Sequence, residues 1–542
     1  MDGATLKKSE IRTGNLYLLM LVIALFFLNF YSKTLFYRPT SIHQWRQTDC
    51  LSITKNYYEE GMNFFEPKIH YQGVKGGRAV SECPLINYTV AGLWKIFGEH
   101  EFIYRLLEYL LFLSAILILF NTLLIFFRSA ILALFSVSIF LTSPLLAYYG
   151  LNFIADVPAL SLGIICFCFT YRFFHTGKIS LFYLALITGT LAVLIKASAL
   201  VGLSLLLFIS ITDLLKANRW FGVNPLFSKK AAPTIAILVS VGIIFSWYRF
   251  ALLYNNNNNN NIFLLTVLPI WEMEEKELIY NLKILFNNLF PVFLNRPMLF
   301  LVMALAIFVM ANFRKLEIFL RYAFVFSLLF FISYLLFFFQ VFGVHDYYLI
   351  NIMIFPVITV VSFVSIVRSS SSFTPSTRFM RVFLMVSLVF NSMHCAAVYR
   401  LRTVEDDKMV YWFPFISEDE KNLAKYFFWD YGNSIKHLEH FEPVLRAAGI
   451  KRTDHVLSIP DYSFDISLYL MDQKGYTVAR DHLLHDSTVM VRFMPKVKYV
   501  ILSDTTLQKT VAFQKMLPQM KLFFRKDAVA VYKVKSQPPH AF

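Results

Sequence analysis

Acidic, basic and aromatic side chains crowd into the segment between the first two long apolar runs of the chain. Arg46 and Asp49 lie three residues apart in it, and Arg78 and Glu82 lie four residues apart further on. A long segment of this kind in a compact protein is more often a functional site than a connector. We therefore expect the chemistry of the protein to lie in this segment.

Further ionisable and aromatic residues stand at or near the ends of later apolar runs, namely Asp156, Lys196, His345 and Tyr348. Ionisable groups at membrane depth are costly, and they usually mark a substrate path or a paired site. By the topology derived below, all of them open to the same outer face as the first segment. We therefore expect a single outer pocket that acts on a lipid-borne substrate.

The elements that must position these residues are membrane helices. Of the 542 residues 57% are hydrophobic and only 16% are charged, whereas a soluble domain carries about 25% charge. This composition excludes a water-soluble enzyme, and it predicts a polytopic α-helical membrane protein with about eleven transmembrane helices. The apolar runs are Leu16–Phe30, Phe102–Phe127, Ala130–Leu146, Val157–Phe173, Leu181–Ile195, Leu200–Ile211, Pro233–Leu253, Pro297–Met310, Ile318–Phe339, Leu349–Ile366 and Val382–Ala397.

The net charge of +16 is explained by where the basic residues lie relative to the membrane. If the N-terminus is cytoplasmic, every short inner segment contains Lys or Arg, whereas the outer segments 148–156 and 342–347 contain neither. That distribution is the positive-inside pattern, and it makes nucleic-acid binding a poor explanation of the charge. The first loop, 31–101, and the tail, 400–542, are then predicted to lie outside the cytoplasm.

The tail has a different composition from the rest of the chain. Segments 454–461 and 498–504 are typical of strands, and segments 418–428 and 440–448 of helices. Alternation of this kind predicts a small extracytoplasmic α/β domain at 400–542, after a transmembrane domain at 1–399. The asparagine run Asn255–Asn261 is interpreted as a flexible polar loop.

The order of these features resembles the GT-C superfamily of integral-membrane glycosyltransferases, over roughly Tyr31 to Ile366. The shared pattern is an acid soon after the first helix, a Glu-x-Pro element before the second and another acid after the third. Within the superfamily the chain is most similar to the bacterial protein O-mannosyltransferase and lipid A aminoarabinose-transferase type. The resemblance implies an inverting glycosyltransferase with a polyprenyl-phosphate sugar donor and an extracytoplasmic acceptor, which is a glycolipid, polysaccharide or protein. It also implies a multi-pass protein of the bacterial inner membrane, with its site facing the periplasm.

The resemblance gives each candidate residue an expected role. Asp49 matches the acid that acts as, or positions, the catalytic base, because an acceptor hydroxyl must lose its proton as it attacks. Glu82 matches the acid of a Glu-Lys-Pro-Pro element, but Cys83 stands where the relatives have lysine. Phosphate binding is therefore reassigned to cations elsewhere. The substrate-binding candidates are Arg46, Arg78, Glu82, Asp156, Lys196, His345 and Tyr348.

Alternatives stay open for several of these residues. Asp49 could simply pair with Arg46 in a loop turn, Asp156 could be a helix N-cap, and Tyr348 could be an interfacial anchor. A divalent metal suits Glu82, Asp156 and His345 in chemical type, but no ligand spacing supports one, and no cofactor is predicted with certainty. A disulfide between Cys50 and Cys83 is conceivable.

Two other classes of function compete with this interpretation. A membrane transporter of a lipid-linked or anionic substrate would also have many helices and ionisable residues, but it predicts inverted repeats that the sequence does not show. An assembly scaffold whose tail binds a partner would leave the residues of the first loop unexplained. Membrane lipid, the lipid-linked donor and the acceptor are the expected partners, and nucleic acid is not.

Overall fold

The computed structural model describes residues 8–217, 225–260, 262–263, 266–369, 378–405, 407, 410, 413 and 416–535. Predictions that concern Arg219, in an inner segment, and Asn261, at the end of the asparagine run, lie outside these residues. The predicted C-terminal domain is described apart from a few positions near its start and its last seven residues.

Most of the described chain is helical, and seven helices are long and apolar enough to cross a membrane. They span Lys8–Leu28, Glu101–Phe127, Asp156–Thr176, Ala231–Asn257, Ile318–Phe337, Asp346–Ser369 and Arg381–Thr403, the last within the helix Arg378–Thr403. A pair of helical segments, Glu275–Phe293 and Arg296–Ala311, is bent by 95° and forms either a broken eighth span or a re-entrant loop. Shorter apolar helices cover Ala130–Leu141, Ile179–Ile195 and Val201–Leu214.

The predicted class of a polytopic helical membrane protein is thereby confirmed. Each of the eleven predicted spans coincides with a helix, but four of these helices have only 12 to 17 residues: Ala130–Leu141, Ile179–Ile195, Val201–Leu214 and Arg296–Ala311. An apolar helix normally needs about 20 residues to cross a bilayer. The count of eleven therefore stays a prediction, while seven or eight spans meet the requirement of length.

Chain contacts divide the protein into two compact units. The first unit comprises Met1–Leu35, Arg105–Arg249 and Thr266–Ser417, and the second comprises Phe36–Tyr104, Phe250–Leu265 and Glu418–Phe542. The predicted first loop from Phe36 onward and the predicted tail from Glu418 onward thus belong to the same unit. The division of the chain at residue 400 stays a prediction about domains.

Small residues allow close packing of helices in the first unit. A Cβ atom on Gly189 would lie 2.9 Å from Sγ of Cys166, and one on Gly202 would lie 2.7 Å from the carbonyl oxygen of Gly163. Glycines at such contacts let helix backbones approach each other in membrane proteins. This packing fixes the helices before and after Lys196.

The second unit combines helices with one mixed sheet. Its helices include Gln44–Glu60, Leu85–Phe97, Glu418–Asp430, Glu442–Ala447, Ile466–Leu470, Arg480–His485 and Val511–Met516. Its strands are β1 (Val456–Ile459), β2 (Gly475–Thr477), β3 (Tyr499–Leu502), β4 (Met520–Lys526) and β5 (Val529–Val534). The sheet order is β2-β1-β3-β5-β4, with β1 parallel to β2 and β3 and the other pairs antiparallel. The predicted α/β tail is confirmed as a small sheet domain.

Part of the first loop continues this sheet beyond β2. Tyr71 forms a parallel bridge with Gly475, the N–H of Gln72 donates to the Gly475 carbonyl at 2.7 Å, and the Gly475 N–H donates to the His70 carbonyl at 3.3 Å. These bonds pair backbone groups that would otherwise be exposed at the sheet edge. They hold the first loop against the C-terminal sheet.

Candidate active site

A buried helix with a polar sequence forms the centre of the second unit. Thirteen of the 17 residues of Gln44–Glu60 are buried, and most of the buried ones are polar or charged. The hydrophobic effect does not favour burial of such a helix, so its polar groups need partners or a function. These residues were predicted to lie in the long first loop, but no helix was predicted there because polar residues on most faces give no amphipathic pattern.

The start of this helix is held in an unusual backbone conformation. Ser41 and His43 are both left-handed, with φ of 65° and 55°, and non-glycine residues rarely adopt that region. Gln44 donates to the Pro39 carbonyl at 2.7 Å, and Gln47 donates to the Thr40 carbonyl at 3.0 Å. The two glutamines thereby keep the strained segment in place, and such segments often occur at functional sites.

Asp49 lies on this helix, and its buried carboxylate makes no hydrogen bond to any described residue. It is 1% exposed, and neither of its oxygens has a hydrogen-bond partner among the described residues. Burial raises the pKa of Asp49 to about 7, helped by the negative charges of Glu82 and Asp461 and opposed by Arg46. A carboxylate with a pKa near neutrality is well matched to general-base catalysis.

Arg46 connects the two acids that the sequence singled out. Its Nη2 atom lies 2.6 Å from Oε2 of Glu82, and its Nη1 atom lies 4.0 Å from Oδ2 of Asp49. Ser81 also donates a hydrogen bond to Glu82. Arg46, Asp49 and Glu82 therefore form one group, in which the guanidinium faces both carboxylates.

Arg78 has a different set of contacts. Its Nε and Nη2 atoms donate to Oε1 of Glu66 at 3.1 and 2.5 Å, and its side chain is about one-third exposed. This ion pair is the ordinary alternative to the predicted phosphate contact.

The asparagine run supports the first loop instead of forming a flexible segment. The Asn255 side chain accepts from the Val80 N–H at 3.1 Å and donates to the Val80 carbonyl at 2.7 Å. Asn260 donates to Oδ1 of Asn255 at 2.9 Å, and the Asn258 carbonyl accepts from the Lys75 N–H at 3.1 Å. Residues 255–257 thus end the helix Ala231–Asn257, contrary to the loop interpretation, while residues 258–260 leave the helix in a turn, as predicted. The hydrogen bonds of the run to the first loop were not predicted, because a homopolymeric run gives no sign of its long-range backbone partners.

Four of the other candidates lie together in the first unit. Nζ of Lys196 is 3.4 Å from Oδ2 of Asp156, and it lies 5.4 Å from the centre of the Tyr348 ring. The His345 and Tyr348 rings stack with their centres 5.9 Å apart. Asp156 is the first residue of its helix, and Ala155 occupies the N-cap position, so the N-cap interpretation was off by one residue. A single pocket that includes both groups of candidates stays a prediction.

The sequence interpretation missed several buried ionisable residues. In the first unit, Glu108 is fully buried, and neither of its oxygens has a hydrogen-bond partner within the described part of the chain. Asp346 is paired instead, since it accepts from Tyr149 at 2.5 Å and from Arg402 at 2.8 Å. In the second unit, Asp461 and Asp465 are buried beside the helix of Asp49. Glu108 could have been found from its position two turns into an apolar helix, but the two tail aspartates had no such signal.

No group of three or more His, Cys, Asp and Glu side chains in the described ranges is arranged to hold a metal ion. Cys50 and Cys83 are buried and are not joined by a disulfide. Burial raises the pKa of the Cys83 thiol to about 12, so Cys83 is neutral at pH 7. A neutral thiol carries no charge with which to balance a phosphate.

Comparison with known proteins adds to this geometry. Residues 81–223 match the family described as dolichyl-phosphate-mannose-protein mannosyltransferase. No curated protein sequence matches the chain significantly.

Several solved structures resemble the whole chain. ArnT from Cupriavidus metallidurans bound to undecaprenyl phosphate is 13% identical, with a TM-score of 0.55, over 95% of this chain and 97% of that one. The arabinofuranosyltransferase AftD from Mycobacteria is 10% identical, with a TM-score of 0.54, over 96% of this chain and 40% of that one. The oligosaccharyltransferase AglB from Archaeoglobus fulgidus, in complex with an inhibitory peptide and a dolichol-phosphate, is 11% identical, with a TM-score of 0.50. The match covers 90% of this chain and 69% of that one.

At these identities the likeness shows a shared fold. The fold and the matching segment together confirm the resemblance to the GT-C superfamily of membrane glycosyltransferases. The matching segment resembles the protein mannosyltransferase family over residues 81–223, and the fold of the whole chain is similar to that of ArnT.

Proposed function

We propose that the protein transfers a sugar from a polyprenyl-phosphate-linked donor to a hydroxyl group of an acceptor outside the cytoplasm, with inversion at the anomeric carbon. The observation that carries the proposal is Asp49, a buried carboxylate without a hydrogen bond among the described residues. Undecaprenyl phosphate and dolichol-phosphate occur in complexes of proteins that share the fold. They support a lipid carrier for this chain.

The proposed reaction needs one base. The acceptor hydroxyl attacks the anomeric carbon, its proton passes to a carboxylate oxygen of Asp49, and the sugar–phosphate bond breaks. The lipid phosphate leaves as an anion that needs little help from an acid, so a single carboxylate is enough for inversion. At pH 7 about half of the Asp49 side chains are ionised, given a pKa of about 7.

The other candidate residues have defined parts in this proposal. Arg46 holds Asp49 partly ionised, and Glu82 fixes Arg46 through its 2.6 Å ion pair. In the first unit, Lys196 is proposed to contact the donor phosphate, with Tyr348 beside it. Cations balance a phosphate charge at the boundary of a low-dielectric region.

The proposed location is the bacterial inner membrane, with the second unit facing the periplasm. The basic inner segments support this orientation. A reporter that is active only in the cytoplasm, fused after Tyr399, is expected to be inactive. An active reporter would contradict the orientation.

Comparison of the glycans and glycolipids of a wild-type and a deletion strain by mass spectrometry tests the function. We expect one sugar to be missing in the deletion strain. It should return with the wild-type gene and not with Asp49→Asn. Identical products in all strains that express the protein would contradict the proposal.

A further inference from the structure

Asp465 occupies a helix N-cap position but does not cap the helix. It precedes Ile466–Leu470, and its side chain makes no cap hydrogen bond. An aspartate at this position normally accepts a hydrogen bond from the first turn, which stabilises the helix by about 0.5–2 kcal/mol. The usual local reason for an aspartate here is therefore absent.

Other residues of the same loop satisfy the start of this helix. The Ser463 hydroxyl accepts from the N–H groups of Asp465 and Ile466 at 3.1 and 2.9 Å. Oδ2 of Asp461 accepts from the Ser467 N–H at 2.7 Å, and Oδ1 of Asp461 accepts from Ser463. The Asp465 carboxyl is therefore not needed for the local fold.

The helix that Asp465 precedes packs against Gln44–Glu60, the helix that carries Asp49. Asp465 is fully buried, and within the part of the chain that the structure describes neither of its oxygens makes a hydrogen bond. Asp49 acts on it electrostatically, as does Asp461 from its own loop. Two carboxyl groups without hydrogen bonds thus face the same buried region from different parts of the chain.

The polar groups that face Asp465 from the first loop are Ser52 and the N–H of His70. Both of them form hydrogen bonds with other groups. That N–H donates to Oγ of Ser52 at 2.8 Å, and Oγ lies 2.5 Å from Nδ1 of His70. Nε2 of His70 lies 3.1 Å from Oδ1 of Asp472, which also accepts from Arg452 at 2.8 Å. Nη2 of Arg452 also lies 3.4 Å from Nε2, but Asp472 is nearer and only accepts, so Nε2 is assigned the His70 proton. The Ser52 hydroxyl then donates to Nδ1.

The charge state of Asp465 follows from these surroundings. Burial raises its pKa well above the usual range, and Asp49 and Asp461 add to this effect, while Ser52 and the His70 N–H oppose it. Around Asp49 itself the charged groups are Arg46, Glu82 and Asp461. When two buried carboxyl groups interact, the pair loses its protons in two steps, and the state with one proton spans the interval between them.

We propose that Asp465 is a positioning residue of the transfer site. In its protonated form Asp465 is a neutral hydrogen-bond donor beside the base Asp49. This inference rests on the proposed function. A second negative charge next to Asp49 would repel an anionic lipid phosphate, so transfer should fall when Asp465 ionises. The C-terminal sheet domain thereby contributes a residue to the site of the first loop.

The test is the pH dependence of sugar transfer by the purified full-length protein, with polyprenyl-phosphate sugars extracted from host membranes as the donor. Wild type should lose activity on both sides of an optimum, with an acid limb near the pKa of Asp49, about 7. Asp465→Asn should stay within about threefold of wild type at neutral pH, since its amide is a neutral donor. It should lack the alkaline limb, because an amide does not ionise.

Asp454→Asn is the matched control, since Asp454 is a buried aspartate of the same domain that pairs with Lys498 at 2.6 Å. It should keep both limbs. An alkaline limb that persists in folded Asp465→Asn, or a loss of activity at every pH, would overturn the proposal.

Infrared spectroscopy provides a readout that needs no sugar transfer. At neutral pH, wild type should show the carbonyl band of a protonated carboxyl group that Asp465→Asn lacks and Asp454→Asn retains. Identical bands in wild type and Asp465→Asn would overturn the inference even if transfer is observed. If the band is present but wild type transfers no sugar, the proposed function fails and the protonated state of Asp465 stands.

Discussion

Replacing Arg46 with methionine should raise the pKa of Asp49 and thereby slow transfer at neutral pH. Nη1 of Arg46 lies 4.0 Å from the Asp49 carboxylate. At that distance two unit charges interact by about 4 kcal/mol at an effective dielectric constant of about 20, which equals about 3 pKa units. Opposite charges at such distances shift carboxylate pKa values by about 1–3 units in practice. The change also leaves Glu82 without this cation, which acts in the same direction.

The expected loss of activity follows from the fraction of Asp49 that is ionised. With a pKa of about 7, half is ionised at pH 7. A rise of about 1–3 units lowers this fraction to between about one-tenth and one-thousandth. The value of kcat/KM at pH 7 should therefore fall by about 5- to 500-fold, and part of it should return as the pH is raised.

The assay is kcat/KM as a function of pH for wild type and Arg46→Met, with Arg480→Met as control. Arg480 makes a comparable ion pair with Asp504, at 2.6 Å, and should not move the acid limb. An acid limb at the wild-type position in folded Arg46→Met would refute the electrostatic reasoning. A loss of the same size at every pH would instead indicate that Arg46 binds the donor.

Three further outcomes are expected. Asp49→Asn should lower the rate of transfer by about 10²–10⁴-fold while the protein still inserts and purifies normally, because the amide cannot accept the proton; near-normal transfer would eliminate Asp49 as the base. Asn255→Ala should lower the free energy of unfolding by about 1–3 kcal/mol, because two buried groups of the first-loop backbone lose their partner, whereas the exposed Asn256→Ala should leave the melting temperature unchanged. Lys196→Met should destabilise the protein by about 3–5 kcal/mol, because the buried Asp156 loses its cation, and the added change Asp156→Asn should restore part of the loss; equal melting temperatures of the single and double variants would argue against this pairing.

The sequence predicted those features that depend on local patterns. Apolar runs marked the seven described helices that are long enough to cross a membrane, but not the segment Glu275–Phe293. The runs at 454–461 and 498–504 marked β1 and β3, because burial on both faces requires continuous apolar residues. Asp49 was identified from the resemblance to the GT-C superfamily, because the shared order of features includes an acid shortly after the first membrane helix.

The features that the sequence did not predict depend on distant parts of the chain. The helix Gln44–Glu60 is mostly polar, and it is buried because Leu85–Phe97 of the first loop and Ile466–Leu470 of the tail pack on it. Asp465 lies more than 400 residues after Asp49, and no local pattern links the two. The same is true of Asn255 and Val80, whose hydrogen bonds cross 175 residues.

The central claim is a sugar donor carried on polyprenyl phosphate, and the most direct measurement is transfer by the purified protein with each class of donor supplied alone. The lipid-linked sugar should support turnover without any nucleotide sugar, and Asp49→Asn should abolish this turnover. The described tail has no glycine-rich phosphate loop, since Gly432, Gly449 and Gly475 are isolated, and such loops hold nucleotide phosphates at helix N-termini. Turnover with a nucleotide sugar in the complete absence of polyprenyl lipid would contradict the account.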